Sequence, residues 1–540
     1  MASRNAESPS ALLHARPIEG GIEAELSTGE RMRVEPVADG IIRMRVTHEE
    51  SFGGSPLNRY GFILPQAPCE EAEAVADDDS VAVRTPRLAV RVDRRTGRLA
   101  VEDASGKSLL STPAIPDAYG SKGGFRIRFD ITADERLLGL GDQQRKQIDL
   151  RGSKADMWIY NVQHYIPIPF AFSSRGWGLF VNTTRRHRWD LAATDPEVLS
   201  IEAWEGTLDL YFFAGNYRQM LDLYTELTGK PILPPKWSFG LWFCCRNNAS
   251  DHEVVTDAYI FRNEQLPVDL FSLEPGWMEV DYDNSVDKRW HPERFYRASA
   301  SWAKATFIKG LENLGIKLSL WLCNDYDLSL EAERQLAEEG DAEAQDLLDS
   351  GTEAEFEDPR LVQCVLKLDK FTKPEDPWFE HLKKFIDAGV VMFKQDGAWQ
   401  TMERPDRVFG NGMTDAEMHN LYPLLYCKQM HEGFRDHTGK RACIFNPNGW
   451  AGIHRWAGTW AGDTGGGPPA LVCNMILGLG AVSWTTCDMD VTIPEGVHYG
   501  FISPWSQINS FASFRYPWLM RPDLYEMLRE YAYLRMQMIP

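Results

Sequence analysis

The run Val390-Val391-Met392-Phe393-Lys394-Gln395-Asp396-Gly397 is apolar until it stops on a charged Asp beside a Gly. A buried parallel strand ends this way when it delivers a carboxylate to the mouth of a barrel. A second carboxylate in similar dress follows in Trp460-Ala461-Gly462-Asp463-Thr464. Two carboxylates on glycine-flanked strand ends are the equipment for cleaving a glycosidic bond, and a spacing of about 5–5.5 Å between them gives double displacement with retention. The chain also holds 18 Trp, a residue awkward to bury because its N–H needs a partner but well suited to stacking on a sugar face. Helix capping for the two Asp residues and core packing for the Trp residues are the competing readings.

The elements that must position these groups change character along the chain. Residues from about 17 to 215 read as β, in short alternating stretches such as Ile41-Ile42-Arg43-Met44-Arg45-Val46 and Phe125-Arg126-Ile127-Arg128-Phe129, separated by turns such as Asp39-Gly40 and Thr96-Gly97. That pattern predicts an antiparallel sandwich. Tyr217 to Leu227 has helical spacing, and Gly229-Lys230-Pro231 through Pro234-Pro235 forms a stiff connector. Beyond it, strand and helix alternate. Strands are predicted at Ser238–Phe243, Val268–Leu273, Ile316–Leu322, Val390–Lys394, Ala442–Phe445, Gly458–Ala461 and Ala481–Thr486, with helices at His252–Glu264, Trp302–Leu314, Phe379–Ala388 and Asp415–His431. The predicted fold is multidomain, all-β plus α/β: a β-sandwich with its linker helix over residues 1–232, then a (β/α)8 TIM-type barrel over 233–540. An acidic, partly helical insertion at about 328–376 reads as a solvated face.

Composition narrows the partners. At 540 residues and 61.4 kDa, two or three domains are expected, and 43% hydrophobic with 25% charged residues fits a globular protein. A net charge of −21 without any Lys/Arg cluster argues against nucleic acid and leaves a neutral substrate as the natural inference. The nine cysteines lie scattered without a C-x-x-C pair, so buried free thiols in a reducing compartment are expected rather than zinc or a disulfide framework. The N-terminus lacks an apolar core for a signal peptide, and the apolar stretch Ala470 to Trp484, interrupted by Asn474 and two glycines, is short for a membrane span. Cytoplasm is the expected location, with no membrane partner. A homo-oligomer is compatible with the sequence, which carries no signal for or against one. Asp281-Tyr282-Asp283-Asn284-Ser285-Val286-Asp287 imitates a calcium loop, but Val stands where Gly is needed and the closing Glu is missing. H-E-x-x-H, G-x-S-x-G and phosphate-cradling motifs are missing too. No metal or other cofactor is expected.

The order of several short motifs resembles glycoside hydrolase family 31 over nearly the whole sequence. Gly139-Leu140-Gly141-Asp142 is similar to that family's G-L-G-E turn, and Thr228-Gly229-Lys230-Pro231 to Trp237-Ser238-Phe239-Gly240 to its approach to the barrel. Ile166-Pro167-Ile168-Pro169-Phe170, Gly176 to Asn182, Gly412-Met413-Thr414-Asp415-Ala416-Glu417, His419-Asn420-Leu421-Tyr422 and Leu534-Arg535-Met536 to Pro540 match in sequence order. The resemblance implies a retaining, exo-acting α-glycosidase with Asp396 as nucleophile and Asp463 as general acid/base. Asp396 must then stay ionised, helped by Lys394, while an apolar, Trp-lined surround raises the pKa of Asp463. Glu274, in Leu273-Glu274-Pro275-Gly276-Trp277-Met278, stands where the family has a sugar-gripping Asp, and Asp488 stands at its D-I-G-G-F aspartate; each could instead cap a strand end. Trp277 is counted with the substrate-binding residues, and Trp321, Trp399 and Trp460 are the stacking candidates.

The sequence departs from the family in three places. An expected sugar-contacting Arg upstream of Asp463 is replaced by Pro447, within Phe445-Asn446-Pro447-Asn448-Gly449-Trp450, although the motif's second Arg is kept as Arg455. The D-I-G-G-F glycines are gone, and the downstream R-x-H either reads Phe514-Arg515-Tyr516 or is shifted. A pocket rebuilt around Asn446 and Asn448 implies a glycone other than glucose, such as α-galactose or N-acetylgalactosamine. The third departure is that the usual C-terminal β-domains are absent from the expected layout. An α-glucosidase or α-xylosidase, a lyase working from the same covalent intermediate, and an inactive sugar-binding relative are the alternatives.

Overall fold

A computed structural model of the chain describes residues 11–113, 119–121, 123–160, 166–283, 286–300, 306–323, 327–350, 377–396, 407–461, 467–512 and 514–539. The N-terminal half forms two antiparallel sheets. The first has eight strands, in the order Leu12–Ile18, Gly21–Leu26, Arg31–Ala38, Ile41–Thr47, Leu208–Ala214, Trp177–Val181, Pro167–Ser173 and Leu137–Gly141. Strands Gly21–Leu26, Arg31–Ala38 and Ile41–Thr47 lie against Ser80–Arg84 and Leu88–Asp93 of the second sheet. In Gly124–Asp130, Phe125, Ile127 and Phe129 are buried while Arg126 is exposed, so the alternation in the sequence does specify one inward face.

Pro167–Ser173 and Leu208–Ala214 are buried at every position because the first sheet is covered on both faces. The helix Tyr217–Thr228, begun by a capping box of Asn216 and Gln219, lays Tyr224 flat on Phe170 with ring centroids 4.3 Å apart. The sheet is joined to the barrel by buried polar contacts. Trp450 Nε1 donates to the Thr183 carbonyl at 2.8 Å, and Asn420 donates to the Thr184 carbonyl at 2.8 Å.

Eight parallel positions close the barrel. They are Leu241–Cys244, Leu270–Leu273, Lys317–Leu322, Val390–Gln395, Ile444–Phe445, Thr459–Trp460, the pair Thr485–Thr486 with Asp488–Met489, and Ser506–Asn509. The fifth and sixth meet through a parallel bridge of Phe445 and Gly458, and the eighth pairs back onto the first. Trp242, Leu270, Met392, Cys443, Phe445, Trp460, Trp484 and Trp505 pack together as one cluster. Much of the chain's Trp content is therefore core.

Seven strands fall where the sequence predicts them, within a few residues. The run from Ser238 opens instead with a 3-10 turn, Lys236–Phe239, before the strand begins. The eighth strand, Ser-Gln-Ile-Asn, carries no apolar alternation and is not predicted. The predicted helix Asp415–His431 is two helices, Asp415–Met418 and Tyr422–Thr438, because Pro423 fits only the first turn of a helix. The insertion opens with the helices Ser329–Glu338 and Ala342–Asp349; residues 351–376 lie outside the described residues. Among the described residues, no helix is long and apolar enough to cross a membrane, and no group of three or more His, Cys, Asp and Glu could hold a metal ion.

Candidate active site

A cavity of about 270 Å³ opens at the C-terminal ends of the strands, lined among others by Glu274, Tyr282, Trp321, Lys394, Asp396, Asp488, Asn509 and Arg515. This is the barrel face on which functional loops gather. The fourth strand brings the charge there. Its buried residues form a parallel ladder with the third strand that pairs Trp321 with Lys394, and the Asp396 amide donates to the Leu322 carbonyl at 2.8 Å. Since side chains alternate along a strand, Met392, Lys394 and Asp396 share one side. Met392 lies in the interior cluster, Lys394 is buried above it, and Asp396 reaches the cavity.

Trp321 Nε1 donates to Asp396 Oδ2 at 3.0 Å, fixing one carboxylate oxygen. Trp321 is itself held from behind, because Trp277 Nε1 donates to the Trp321 carbonyl at 2.8 Å. Lys394 Nζ donates to Glu274 at 3.2 and 3.3 Å and lies 5.1 Å from the centre of the Trp460 ring. Burial alone would lower the Lys394 pKa, but Glu274 foremost, with Asp396 and Asp488, raises it, so the ammonium is retained. Burial pushes the Glu274 carboxyl up, Lys394 opposes this, and Asp396 and Asp488 add to it. Asp488 accepts from Gln507 and, at 2.8 Å, from Asn509. Arg515 donates to the Met489 carbonyl at 3.4 Å. Three carboxylates therefore face two cations across one small cavity.

Of the site residues named from sequence, Glu274, Trp321, Lys394, Asp396 and Asp488 come together at this cavity. Asp463 and Trp399 lie outside the described residues. Five others do not reach it. Trp277 is 1% exposed and packs edge-on against Trp290 and Phe385, so it supports Trp321 and does not present a face to ligand. Arg455 stacks on Trp456 and donates to the Gly61 carbonyl at 3.0 Å, which makes it a domain-interface residue. Asn446 and Asn448 are fully buried beyond the fifth strand, Asn446 donating to Cys427 Sγ, and neither lines the cavity. Trp460 is also in the core, beneath Lys394.

Sequence reasoning missed Tyr282 and Asn509 and noted Arg515 only as a departure. Asn509 closes the strand that went unpredicted. Tyr282 has φ +56°, a left-handed conformation unusual for an aromatic residue, and its ring meets the edge of Trp321 at 5.2 Å. The failed calcium-loop match was its only trace in the sequence.

This is a (β/α)8-barrel protein with an N-terminal sandwich and a carboxylate-lined cavity at the C-terminal mouth of the barrel. Residues 231–540 match the Glycosyl hydrolases family 31 TIM-barrel domain, and residues 31–190 match the Glycosyl hydrolase 31 N-terminal galactose mutarotase-like domain. The chain belongs to glycoside hydrolase family 31. Among curated relatives, an α-xylosidase of Emericella nidulans is 26% identical over 458 residues, covering 78% of this chain and 55% of its own. The chain thus spans about half the length of such relatives. Its fold superposes on a family 31 dextranase of Flavobacterium johnsoniae complexed with glucose, with TM-score 0.80, 20% identity, and 99% of this chain and 69% of that one covered. A family 31 α-xylosidase from a soil metagenome complexed with xylose gives TM-score 0.77 at 18% identity, covering 98% of this chain and 84% of the other.

Proposed function

We propose that the chain carries a retaining, exo-acting α-glycoside hydrolase site with Asp396 as nucleophile and Asp463 as general acid/base. Asp396 attacks the anomeric carbon as the glycosidic C–O bond breaks, and Asp463 gives its proton to the departing oxygen. A water then gives a proton to Asp463 and attacks the same carbon. The ester to Asp396 breaks, and the sugar leaves with its configuration retained. The observation that carries this reading is Asp396 at the end of the fourth strand, facing the cavity with one oxygen fixed by the Trp321 indole. A charge-assisted hydrogen bond of this kind favours the ionised carboxylate that a nucleophile must be. The small cavity suits a single terminal sugar, below the ~300–1,000 Å³ of larger ligand sites.

For the glycone we propose a sugar other than glucose, with α-galactose and N-acetylgalactosamine the first to test. The replaced Arg and R-x-H groups motivate the choice, and the Glu274–Lys394 pair supports a rebuilt set of hydroxyl contacts. The relatives named for xylose and glucose substrates supply the rival. The described cysteines are all free, and all but Cys69 are buried, which supports a reducing compartment such as the cytoplasm. Wild-type protein and Asp396→Ala are to be screened against p-nitrophenyl α-glycosides of galactose, N-acetylgalactosamine, glucose and xylose. Release by the wild type and not by the variant is expected; equal release by both would refute the assignment.

A further inference from the structure

The turn Gly139-Leu140-Gly141-Asp142 reaches out of the sandwich to the barrel at a place the proposed mechanism leaves unexplained. Three consecutive residues in it have positive φ, +106°, +61° and +64°. A Cβ on Gly139 would meet the Phe170 carbonyl at 2.4 Å, and one on Gly141 the Ile166 carbonyl at 2.1 Å, so only glycine allows this bulge. The bulge delivers a buried ion pair. Arg145 Nε and Nη2 donate to the two Asp142 oxygens at 2.9 and 2.6 Å, and Asp142 is 1% exposed.

The remaining arm of the guanidinium crosses to the barrel, where Arg145 Nη1 donates to the Ala461 carbonyl at 2.7 Å. Ala461 directly follows the sixth strand, two residues before Asp463 in sequence, and its own amide is held by the Thr486 carbonyl at 2.7 Å. The chain re-enters described structure at Gly467 and the helix Pro468–Leu479. There the buried Cys473 thiol lies against Asp142, whose charge adds to burial in keeping it protonated. The same sandwich turn therefore touches the element before Asp463 and the element after it.

We infer that Arg145, a residue of the sandwich, is a positioning residue for the segment that carries Asp463. Held by a planar bidentate fork on one side, the guanidinium has a fixed direction for its third bond, which a flexible lysine ammonium cannot reproduce. The inference rests on Asp463 being the acid. The step Arg145 serves is proton delivery to the leaving oxygen, and that need grows with the basicity of the leaving group.

The test compares the phenyl α-galactoside, whose leaving group needs a proton, with α-galactosyl fluoride, which needs little help; the glucose and xylose pairs are run alongside. Asp463→Ala sets the benchmark. If it slows the phenyl glycoside no more than the fluoride, the acid assignment itself fails, whatever Arg145 does. Given that benchmark, Arg145→Met is expected to lower kcat/KM on the phenyl glycoside at least tenfold and on the fluoride less than threefold, and to move the basic limb of the phenyl-glycoside pH profile. Arg145→Lys keeps the charge without the fork and is expected to show the same selectivity in milder form, so the question stands even if Arg145→Met does not fold. Equal loss on both substrates, with a lowered Tm, would reduce Arg145 to a structural role and overturn the inference. So would unchanged rates on both.

Discussion

Removing the Lys394 ammonium while keeping its bulk, as Lys394→Met, exposes how the carboxylates of the cavity are held. The Lys394 and Glu274 side chains are each 4% exposed and lie 3.2 Å apart. At an effective dielectric near 20 that separation corresponds to about 5 kcal/mol of attraction. Breaking a buried pair by deleting one partner costs about 3–5 kcal/mol, since the survivor stays buried and charged. The ammonium's place over Trp460 adds in the same direction. Lys394→Met is therefore expected to lose about 3–5 kcal/mol at pH 7 in urea unfolding. The loss depends on pH. Glu274 already sits above its ordinary pKa because of burial, and without Lys394 it rises further. A carboxyl whose folded pKa exceeds its unfolded pKa binds its proton more tightly in the folded state. Stability then falls as pH rises from the unfolded value through the folded one, and returns on acidification. The variant should lose least near pH 5. Adding Glu274→Gln should restore more than half of the neutral-pH loss, a coupling that a double-mutant cycle reads directly. A cost below about 1 kcal/mol, or one that neither acid nor Glu274→Gln relieves, would refute the account of the pair.

Trp321→Phe keeps the aromatic plane but removes the N–H that holds Asp396 Oδ2, and should lower kcat/KM about 10- to 100-fold with little change in Tm. Arg455→Ala, at the domain interface, should cost about 1–2 kcal/mol of stability and leave KM unchanged; a large rise in KM would restore Arg455 to the sugar site. Asp396→Ala should lose activity by about four orders of magnitude or more, and added azide should recover turnover with the β-glycosyl azide as product.

The strand Val390–Gln395 was legible because a strand buried on both sides reads as an apolar run, and its charged end stands out against it. The polar strand Ser506–Asn509 offers no such contrast, and Asn509 went unpredicted with it. Trp277 and Arg455 sit in motif positions that suggest a ligand. Which way their side chains point depends on the turn Pro275–Trp277 and on packing between the two domains, neither of which a local pattern encodes. The sequence pairs Lys394 with Asp396, two residues away. Its bonded partner is Glu274, 120 residues distant, and only closure of the barrel brings them together.

Trapping the intermediate tests the central claim most directly. Wild-type protein is incubated with 5-fluoro-α-galactosyl fluoride, with the glucose and xylose analogues in parallel, then digested and sequenced by mass spectrometry. A single fluoroglycosyl adduct on Asp396 is the predicted result. An adduct on Glu274 or Asp488, or steady release of sugar without any adduct, would contradict it.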